Sequence, residues 1–377
     1  MENSVSGVLE IVQKGYGFLR DIESGFRISP QDPYISPKLV QQLRLKTGMH
    51  ITGSGKALKN QPNISIEKVD LIDGRDPQDA AGRIPFARLT AIDPIDQFRL
   101  ETGQQPMDTR IIDMFIPVGK GQRMLIVAPP KSGKTTIIEN ISKGIKTNNP
   151  DAHLIIFLID ERPEESTHFR RAVGGEVVAT DFDQPQKEHI RASYMVFERA
   201  KSLVEAGRDV VLMIDSLTRM GRAFNRDFDS RGKTMSGGLS AGALEFPRKF
   251  YGSARNIEHG GSLTIIASIL IDTGSRMDEL IFQEFKGTGN SEIVLDRNLA
   301  DQRIFPAIDF QKSGTRKEEK LLSPEVLRKS AMLRRALLDD RRGEKYRMFL
   351  EKFGQAKSNL EFLKTIPDPQ APGKSGR

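Results

Sequence analysis

The segment 125–136 carries residues whose types and spacing suit the binding of a nucleoside triphosphate. It reads Leu-Ile-Val-Ala-Pro-Pro-Lys-Ser-Gly-Lys-Thr-Thr, an apolar strand that breaks into a Pro/Gly loop before a Lys-Thr pair opens a helix. Backbone N–H groups at such a helix start attract phosphate oxygens, Lys134 can reach the β- and γ-phosphates, and Thr135 can hold Mg²⁺. Ala128 replaces the first glycine of the usual pattern, but the Gly-Lys-Thr that follows keeps the signal strong.

Two acidic residues at the ends of later apolar runs suit the hydrolysis of that triphosphate. Asp215 ends the run Val-Val-Leu-Met-Ile, and a carboxylate there can hold Mg²⁺ through water. Glu161 follows the apolar run 154–159. A glutamate beside the phosphate loop can orient the attacking water towards the γ-phosphorus. The alternative is that Glu161 caps the following helix, whose first turn favours acidic residues.

Basic residues further along the chain are candidates for an arginine finger. Such a cation neutralises the charge that develops on the γ-phosphate, and it often comes from a neighbouring subunit. The candidates are Lys286, Arg297, Arg303 and Arg316. The residues themselves leave the choice open, because a single arginine is more commonly part of a surface ion pair.

A short segment near the N-terminus has the composition of a platform for single-stranded bases. In 15–20, Gly-Tyr-Gly-Phe-Leu-Arg, the rings of Tyr16 and Phe18 point to one face of a strand and Arg20 continues that face. Aromatic rings with a cation stack bases in oligonucleotide-binding barrels. The segment 32–34, Asp-Pro-Tyr, could add a ring and a base-edge acceptor. The alternative is that both rings fill the core of a small barrel.

A flexible basic loop offers a second contact for nucleic acid. The segment 229–238 follows the strand that ends at Asp215 and contains Lys233. In a ring-shaped ATPase this loop would project into the central channel, where Lys233 could grip a phosphate backbone. Arg276 could supply a second cation for the phosphate backbone. The alternative is an ordinary surface connection.

Two compositionally different parts must position these residues. Residues 1–75 alternate short β-like runs with turn signals, which predicts a small all-β barrel. From Ile111 buried strands alternate with amphipathic helices, which predicts a mostly parallel sheet covered on both faces. The expected strands are 124–127, 154–159, 177–179, 210–214 and 263–270. Residues 76–106 read as a connector and 367–377 as a disordered tail.

Composition excludes several classes of protein. The 377-residue chain has no cysteine, which excludes a disulfide scaffold and a cysteine-ligated zinc site and suits a reducing cytosol. Its apolar runs are far shorter than the ~20 residues that span a bilayer, and no signal peptide is evident, so we expect a cytoplasmic protein without a membrane partner. The formal net charge of +7 permits a polyanionic partner.

These motifs together resemble the Rho family of bacterial transcription termination factors, from about residue 5 to about residue 363. The likeness rests on the segments 15–20, 128–135, 158–165, 284–290, 305–309 and 313–316. It implies an OB-fold, cold-shock-like barrel (1–75), a connector (76–106) and a RecA-like phosphate-loop ATPase domain (107–366). It further implies a homohexameric, RNA-dependent ATPase and 5′–3′ RNA helicase that uses ATP and Mg²⁺, binds pyrimidine-rich single-stranded RNA, and meets RNA polymerase elongation complexes and elongation factors.

The resemblance also implies roles for individual residues. The catalytic set is Glu161 as the catalytic glutamate, Lys134, Asp215 as the Walker-B acid that holds Mg²⁺ with Thr135, and Arg316 as the arginine finger of the adjacent subunit. The implied nucleotide contacts are Gly119, Lys120, Gly121, Gln122, Arg123, Met124, Lys131, Ser132, Gly133, Lys134, Thr135, Thr136, Arg162 and Phe305, with Arg303 and Lys286 across the subunit boundary. The implied primary RNA site is Gly15, Tyr16, Gly17, Phe18, Leu19, Arg20, Asp32, Pro33 and Tyr34. The implied secondary RNA site is Lys233, Thr234, Met235, Ser236, Gly237, Gly238 and Arg276.

Two other functions compete with this interpretation. One is a rotary-ATPase subunit, which shares the core and a preceding small barrel but drives a protein shaft. The aromatic platform and the Lys233 loop argue against it. The other is a catalytically silent RNA-binding protein that uses ATP only to assemble, and the complete set of Lys134, Glu161, Asp215 and Arg316 argues against that.

Overall fold

The computed structural model describes residues 3–57, 62–229, 238–240, 242–338 and 343–367. Its N-terminal part is a closed five-stranded barrel with strand order β1-β2-β3-β5-β4. The elements are β1 (Asn3–Ile11), β2 (Gly17–Arg20), β3 (Tyr34–Ile35), α1 (Pro37–Gln42), β4 (His50–Ala57) and β5 (Ile64–Ile72). Alternating apolar side chains such as Leu9, Leu19 and Ile51 fill its core. The predicted all-β barrel is therefore confirmed.

The connector carries short elements, although its sequence shows little periodicity. These are α2 (Pro77–Ala81), a 3-10 turn (Phe86–Arg88), β6 (Ala91–Ile92) and β7 (Gln97–Phe98). The last two are short strands whose pairing partners lie in the following domain. The connector is therefore joined to that domain by strand pairing.

The remaining elements form the α/β domain. They are α3 (Met107–Phe115), β8 (Val118–Gly119), β9 (Arg123–Ala128), α4 (Lys134–Asn148), β10 (His153–Glu161), α5 (Pro163–Ala172), β11 (Glu176–Asp181), α6 (Gln186–Glu205), β12 (Asp209–Asp215), α7 (Leu217–Asp229), α8 (Glu245–Gly252), β13 (Arg255–Ile257), β14 (Ser262–Leu270), α9 (Arg276–Lys286), β15 (Ser291–Val294), α10 (Arg297–Asp301), β16 (Gly314–Thr315), α11 (Pro324–Ala336), α12 (Glu344–Gln355) and α13 (Asn359–Lys364).

A nine-stranded sheet forms the centre of this domain, with the path β11-β10-β12-β14-β9-β15-β16. Off this path β13 pairs with β14, and β6 pairs with β13. The strands from β11 to β15 along this path are parallel, and β16 is antiparallel. All five predicted strands are present, each within two residues of its expected bounds. Parallel strands end at one edge of the sheet, so this topology gathers the loops that follow them.

Helices cover both faces of the sheet, as the alternation of apolar runs predicted. On α4 the buried residues Ile137, Ile138, Ile141 and Ile145 pack on one face together with α3, α11, α12 and α13. Residues of α6, α7, α8 and α9 cover the other face. Among the described residues, no helix is long and apolar enough to cross a membrane.

Buried ion pairs join the barrel to the α/β domain. Asp73, after β5, is fully buried and accepts from Arg83 and from Arg199 of α6. Arg199 also donates to Glu176 at 2.7 Å. Nearby, Arg191 of α6 donates to Glu10 of the barrel at 3.2 Å. The two domains are therefore held together through one face of α6.

Candidate nucleotide and RNA sites

The phosphate loop connects β9 to α4. Its last residue, Gly133, has φ 94°, a left-handed conformation that glycine adopts without strain, and it caps the start of α4. Within the loop the hydroxyl of Ser132 donates to the carbonyl of Pro129 at 2.7 Å. The first N–H groups of α4 have no intrahelical acceptor, so they are available to phosphate oxygens.

The carboxyl ends of the parallel strands place Lys134 beside Asp215. The Lys134 ammonium contacts both carboxylate oxygens of Asp215, the last residue of β12. The hydroxyl of Ser268 on β14 donates to the same carboxylate at 2.7 Å. Asp215 is 1 % exposed, so its charge is held by these two partners in the absence of a ligand.

Glu161 ends β10, the strand next to β12, and its side chain is also buried. Burial and then the charge of Asp215 raise the pKa of Glu161 to about 7. The guanidinium of Arg219 donates to Glu161 at 3.1 Å and orients it. A carboxylate with a pKa near neutrality can accept a proton from water. Sequence reasoning missed Arg219. This residue lies on α7, one helical turn after Asp215, and that spacing in the sequence could have indicated it.

A cavity of about 490 Å³ lies beside the phosphate loop. Its lining includes Lys131, Ser132, Gly133, Thr136 and Phe305. The ring of Phe305 is 42 % exposed, so it can stack on a base while the loop holds the phosphates. The lining also includes Gln105, Met107 and Asp108, which the sequence did not single out.

Two predicted nucleotide contacts, Arg162 and Arg303, do not line this cavity. Arg162 is exposed at the start of α5, next to Glu161. Arg303 is exposed two residues before Phe305, so it lies near the chain's own cleft. The expectation that Arg303 and Lys286 act across a subunit boundary stays a prediction.

The six residues 119–124 lie at the opposite end of β9 from the phosphate loop. Met124 pairs with Ser291, whereas Ala128 pairs with Leu270 at the loop end. A strand of this length separates the two groups by about 17–20 Å. Within one chain Gly119, Lys120, Gly121, Gln122, Arg123 and Met124 therefore do not reach the phosphate loop, because the strand carries the chain from one edge of the sheet to the other. Their contact with a nucleotide stays a prediction.

These six residues make structural contacts at that far edge. Gln122 donates to Asn290 at 2.6 Å, Arg123 donates to the carbonyl of Thr288 at 3.0 Å, and Lys120 pairs with Asp209 at 2.7 Å. They brace the segment that leads into β15.

Arg316 and Lys286 lie at this far edge as well. Arg316 follows β16, which pairs with the start of β15, and its backbone N–H donates to Asn290 at 2.9 Å. Lys286 ends α9, which starts at the phosphate-loop edge and runs about 16 Å away from it. Both side chains are exposed, and for Arg316 the described part of the chain offers no ion pair. Neither reaches the chain's own phosphate loop.

The barrel presents three aromatic rings as one cluster. Tyr16, Phe18 and Tyr34 are half-buried, with ring centroids 5.6–5.9 Å apart. None of the three belongs to the buried barrel core. The core-filling alternative is therefore not supported, and the rings form an accessible surface of the kind that stacks bases.

Two neighbours of these rings are less accessible than predicted. The side chain of Leu19 is buried in the barrel core, since alternate residues of β2 face inward. Arg20 lies 5.0 Å from the Phe18 ring, on the expected face, but it is only 3 % exposed. It is covered because it pairs with Glu10 at 2.6 Å and with Asp32. Arg20 is thus a buried support for the rings, and its contact with RNA stays a prediction.

Of the predicted secondary RNA site only Gly238 and Arg276 can be placed. The carbonyl of Gly238 accepts from Asn225 at 2.7 Å, and Asn225 also contacts Met277, the neighbour of Arg276. The two residues are thus close to each other. Lys233, Thr234, Met235, Ser236 and Gly237 lie outside the described residues.

The residues present fit a magnesium ion. Thr135 supplies a hydroxyl and Asp215 a carboxylate, and Mg²⁺ takes such oxygen ligands together with water and substrate phosphates. Asp215 already touches the phosphate loop through Lys134, so both donors lie at one edge of the sheet.

Comparisons with known proteins agree with this division of the chain. The model described as the RNA-binding domain of the Rho termination factor matches residues 5–78, and that of the ATP synthase alpha/beta family, nucleotide-binding domain, matches 108–315. The transcription termination factor Rho of Cereibacter sphaeroides is 50% identical over 364 residues, covering 96% of this chain and 86% of that protein. The Rho of Pseudomonas aeruginosa is 46% identical over 369 residues, covering 97% and 88%. The chain belongs to the Rho family.

Solved structures show how the α/β domain of this Rho-family chain relates to other ATPases. A prototypical ATPase from the type III secretion system of pathogenic bacteria matches with a TM-score of 0.58 and 25% identity, over 68% of this chain and 82% of that one. The assembled ATPase EscN of enteropathogenic E. coli matches with a TM-score of 0.61 and 25% identity, over 75% and 66%. The domain therefore has the fold of the phosphate-loop ATPases, as predicted, with an N-terminal barrel of the Rho type.

Proposed function

We propose that this chain is an RNA-dependent ATPase that assembles into a homohexameric ring, moves 5′–3′ along single-stranded RNA and terminates transcription. The observation that carries the proposal is the split of one catalytic set between opposite edges of the sheet. Lys134, Glu161 and Asp215 lie at one edge and Arg316 at the other. A second copy that presents its Arg316 edge to this cleft would complete the site.

The chain's own residues account for the hydrolysis. We infer that bound ATP draws Lys134 from Asp215 to the β- and γ-phosphates. Glu161, held by Arg219, then accepts a proton from the attacking water, and the neighbour's Arg316 stabilises the charge on the γ-phosphoryl group. Mg²⁺ on Asp215 and Thr135 would neutralise phosphate charge. Because every site borrows a cation from its neighbour, hydrolysis at one site is tied to the geometry of the next.

The barrel supplies the RNA partner in this proposal. The rings of Tyr16, Phe18 and Tyr34 stack bases, and the buried Arg20–Asp32 pair supports them. We infer that pyrimidine-rich RNA is captured here and then passes to the loop containing Lys233 inside the ring. A cytoplasmic location and contact with RNA polymerase elongation complexes and elongation factors complete the proposal.

A protein-driving ATPase is the second candidate, favoured by the likeness of the α/β domain to secretion ATPases. The three accessible rings of the barrel support RNA as the partner instead, because a barrel that only packs on other subunits needs no such surface.

An ATPase assay with and without cytosine-rich single-stranded RNA, over a range of salt concentrations, tests the proposal. We expect turnover to rise strongly with RNA and to need all six copies of the chain. Turnover that is the same with and without RNA at every salt concentration would contradict it and favour the protein-driving ATPase. Movement is tested by displacement of a strand annealed 3′ of a single-stranded loading segment.

A further inference from the structure

We propose that Tyr194 and Phe246 form an additional stacking subsite for single-stranded RNA, between the barrel rings and the loop 230–237. The inference rests on the proposed function, because it assumes that the barrel binds RNA. It adds a contact site for the RNA strand between the barrel and the ring channel.

The Tyr194 ring is accessible yet held by a rigid base. Tyr194 lies on α6 and is 46 % exposed. Its ring centroid lies 4.0 Å from that of Phe246 on α8, and Phe246 stacks in turn on the buried Phe224 of α7 at 5.2 Å with an interplanar angle of 18°. The ring centroid of Phe197 lies 5.8 Å from that of Phe246, so Phe197 also belongs to the cluster. A ring fixed in this way offers a face to a base at little cost in side-chain entropy.

The subsite lies close to the barrel rings. Phe18 contacts Arg20 at 5.0 Å, Arg20 contacts Glu10 at 2.6 Å, and Glu10 contacts Arg191 at 3.2 Å. Arg191 is one helical turn before Tyr194 on α6. With side-chain lengths included, Phe18 and Tyr194 are about 30 Å apart at most. Even at the 3.4 Å per nucleotide of a stacked strand, about nine nucleotides cover that distance, within the ~4–16 that one barrel binds.

The other side of the subsite leads towards the channel loop. Phe224 belongs to α7, which ends at Asp229, and the loop 230–237 follows directly. Its neighbour Asn225 holds the carbonyl of Gly238, the first described residue after that loop. The aromatic cluster therefore lies beside the described residues that precede and follow 230–237 in the sequence.

The surroundings suit a phosphate backbone as well as a base. Lys249 is exposed one turn after Phe246, and Lys187 is exposed two turns before Tyr194 on α6. Lys201 lies 5.0 Å from the Phe197 ring, although it also pairs with Glu198. Aromatic faces flanked by cations bind single strands with little sequence preference. An RNA segment that moves from the barrel to the ring channel needs this kind of contact.

Tryptophan fluorescence gives a direct test, because the natural chain has no tryptophan. Three single-tryptophan variants of the full chain are compared: Tyr194→Trp, Phe18→Trp as the barrel reporter, and Leu360→Trp, at a 66 % exposed position on α13, as the control. On adding a cytosine oligonucleotide of about 20 residues, longer than one barrel covers, we expect quenching of the first two and not of the third.

The outcomes separate the two proposals. Quenching of Phe18→Trp with Tyr194→Trp as unresponsive as Leu360→Trp would overturn the subsite and leave barrel binding intact. Quenching of none of the three would overturn RNA binding and the subsite with it.

Affinity supplies a second measurement that needs no tryptophan. We expect Tyr194→Ala to weaken binding of the 20-residue oligonucleotide by about 5-fold or more, while a 4-residue oligonucleotide that fits the barrel alone binds as before. Tyr194→Phe keeps the ring and should bind both as the natural chain does. Equal affinities for Tyr194→Ala and Tyr194→Phe would show that the ring only packs. Thermal unfolding of each variant reports its folding.

Discussion

The phosphate-loop edge of the central sheet and the ring cluster of the barrel prepare for their ligands in opposite ways. At the sheet edge the ionised groups are buried and already paired, Lys134 with Asp215 and Glu161 with Arg219. On the barrel the contact surface is neutral, and the charge of Arg20 is buried beneath it. The first region must exchange its internal ion pairs for those of a nucleotide, whereas the second needs only to cover exposed rings.

This difference indicates which property of each region determines the binding of its ligand. Buried charges interact strongly in a medium of low polarity, and the pKa of Glu161 is raised to about 7. The sheet edge should therefore respond to pH and to loss of a single charge. Stacking on rings depends on ring area and hardly on pH. Substitutions that remove charge from one region and ring area from the other therefore separate the two contributions.

The largest effect is expected for Arg316, because the catalytic set at the phosphate-loop edge is incomplete without this residue of a second chain. Arg316→Ala should lower the RNA-stimulated kcat by about 10³–10⁵-fold, because it removes the cation that stabilises the γ-phosphoryl charge. Nucleotide binding should change much less, as measured by displacement of a fluorescent ATP analogue. Arg297→Ala, which removes an exposed arginine from an i,i+4 pair with Asp301, is the matched control. Equal turnover in the two variants would exclude Arg316 as the finger.

Glu161→Gln should come next, with a loss of about 10²–10⁴-fold in kcat, because glutamine keeps the shape but cannot accept the proton. Affinity for cytosine-rich RNA should stay at the level of the natural chain. In the natural chain kcat/KM for ATP should rise with pH through about 7, since Glu161 must be ionised to act as a base. A profile that is flat from pH 6 to pH 8 would contradict that role.

The same substitution should stabilise the fold at high pH. Glu161 has a pKa of about 7 in the folded chain against a usual value of 4.5, so the folded state holds more protons between these values. Stability is therefore lost as the pH rises through that window, and glutamine removes the loss. The gain in unfolding free energy for Glu161→Gln should be about 2 kcal/mol larger at pH 8 than at pH 5. Chemical denaturation at both pH values measures it, and an equal effect at both would argue against a raised pKa of the buried Glu161 carboxyl group.

The sequence predicts the fold and the sheet-edge charges because both follow from local patterns. Apolar runs of strand length with intervening amphipathic helices specify a parallel sheet, and parallel strands bring Lys134, Glu161 and Asp215 to one edge. The phosphate loop was recognisable from a segment of twelve residues.

The features that sequence reasoning missed depend on contacts between distant segments. A two-residue period gives the face of Arg20 but not the fact that Glu10 and Asp32 cover it. Residues 119–124 adjoin the phosphate loop in sequence, yet β9 carries them to the other edge. The contact of the Tyr194 ring with the Phe246 ring joins two helices that no local pattern pairs.

The most direct test of the account is the dependence of ATPase rate on the concentration of cytosine-rich RNA, measured for the natural chain, Phe18→Ala and Phe18→Tyr. Loss of one stacking ring is worth about 1–3 kcal/mol, so Phe18→Ala should need roughly 5–150-fold more RNA for half-maximal stimulation. Its maximal rate should be kept, because the sheet edge is untouched, and Phe18→Tyr should follow the natural chain. Superimposable curves for all three proteins, or a natural chain that RNA does not stimulate, would contradict an ATPase that is controlled by RNA on the barrel.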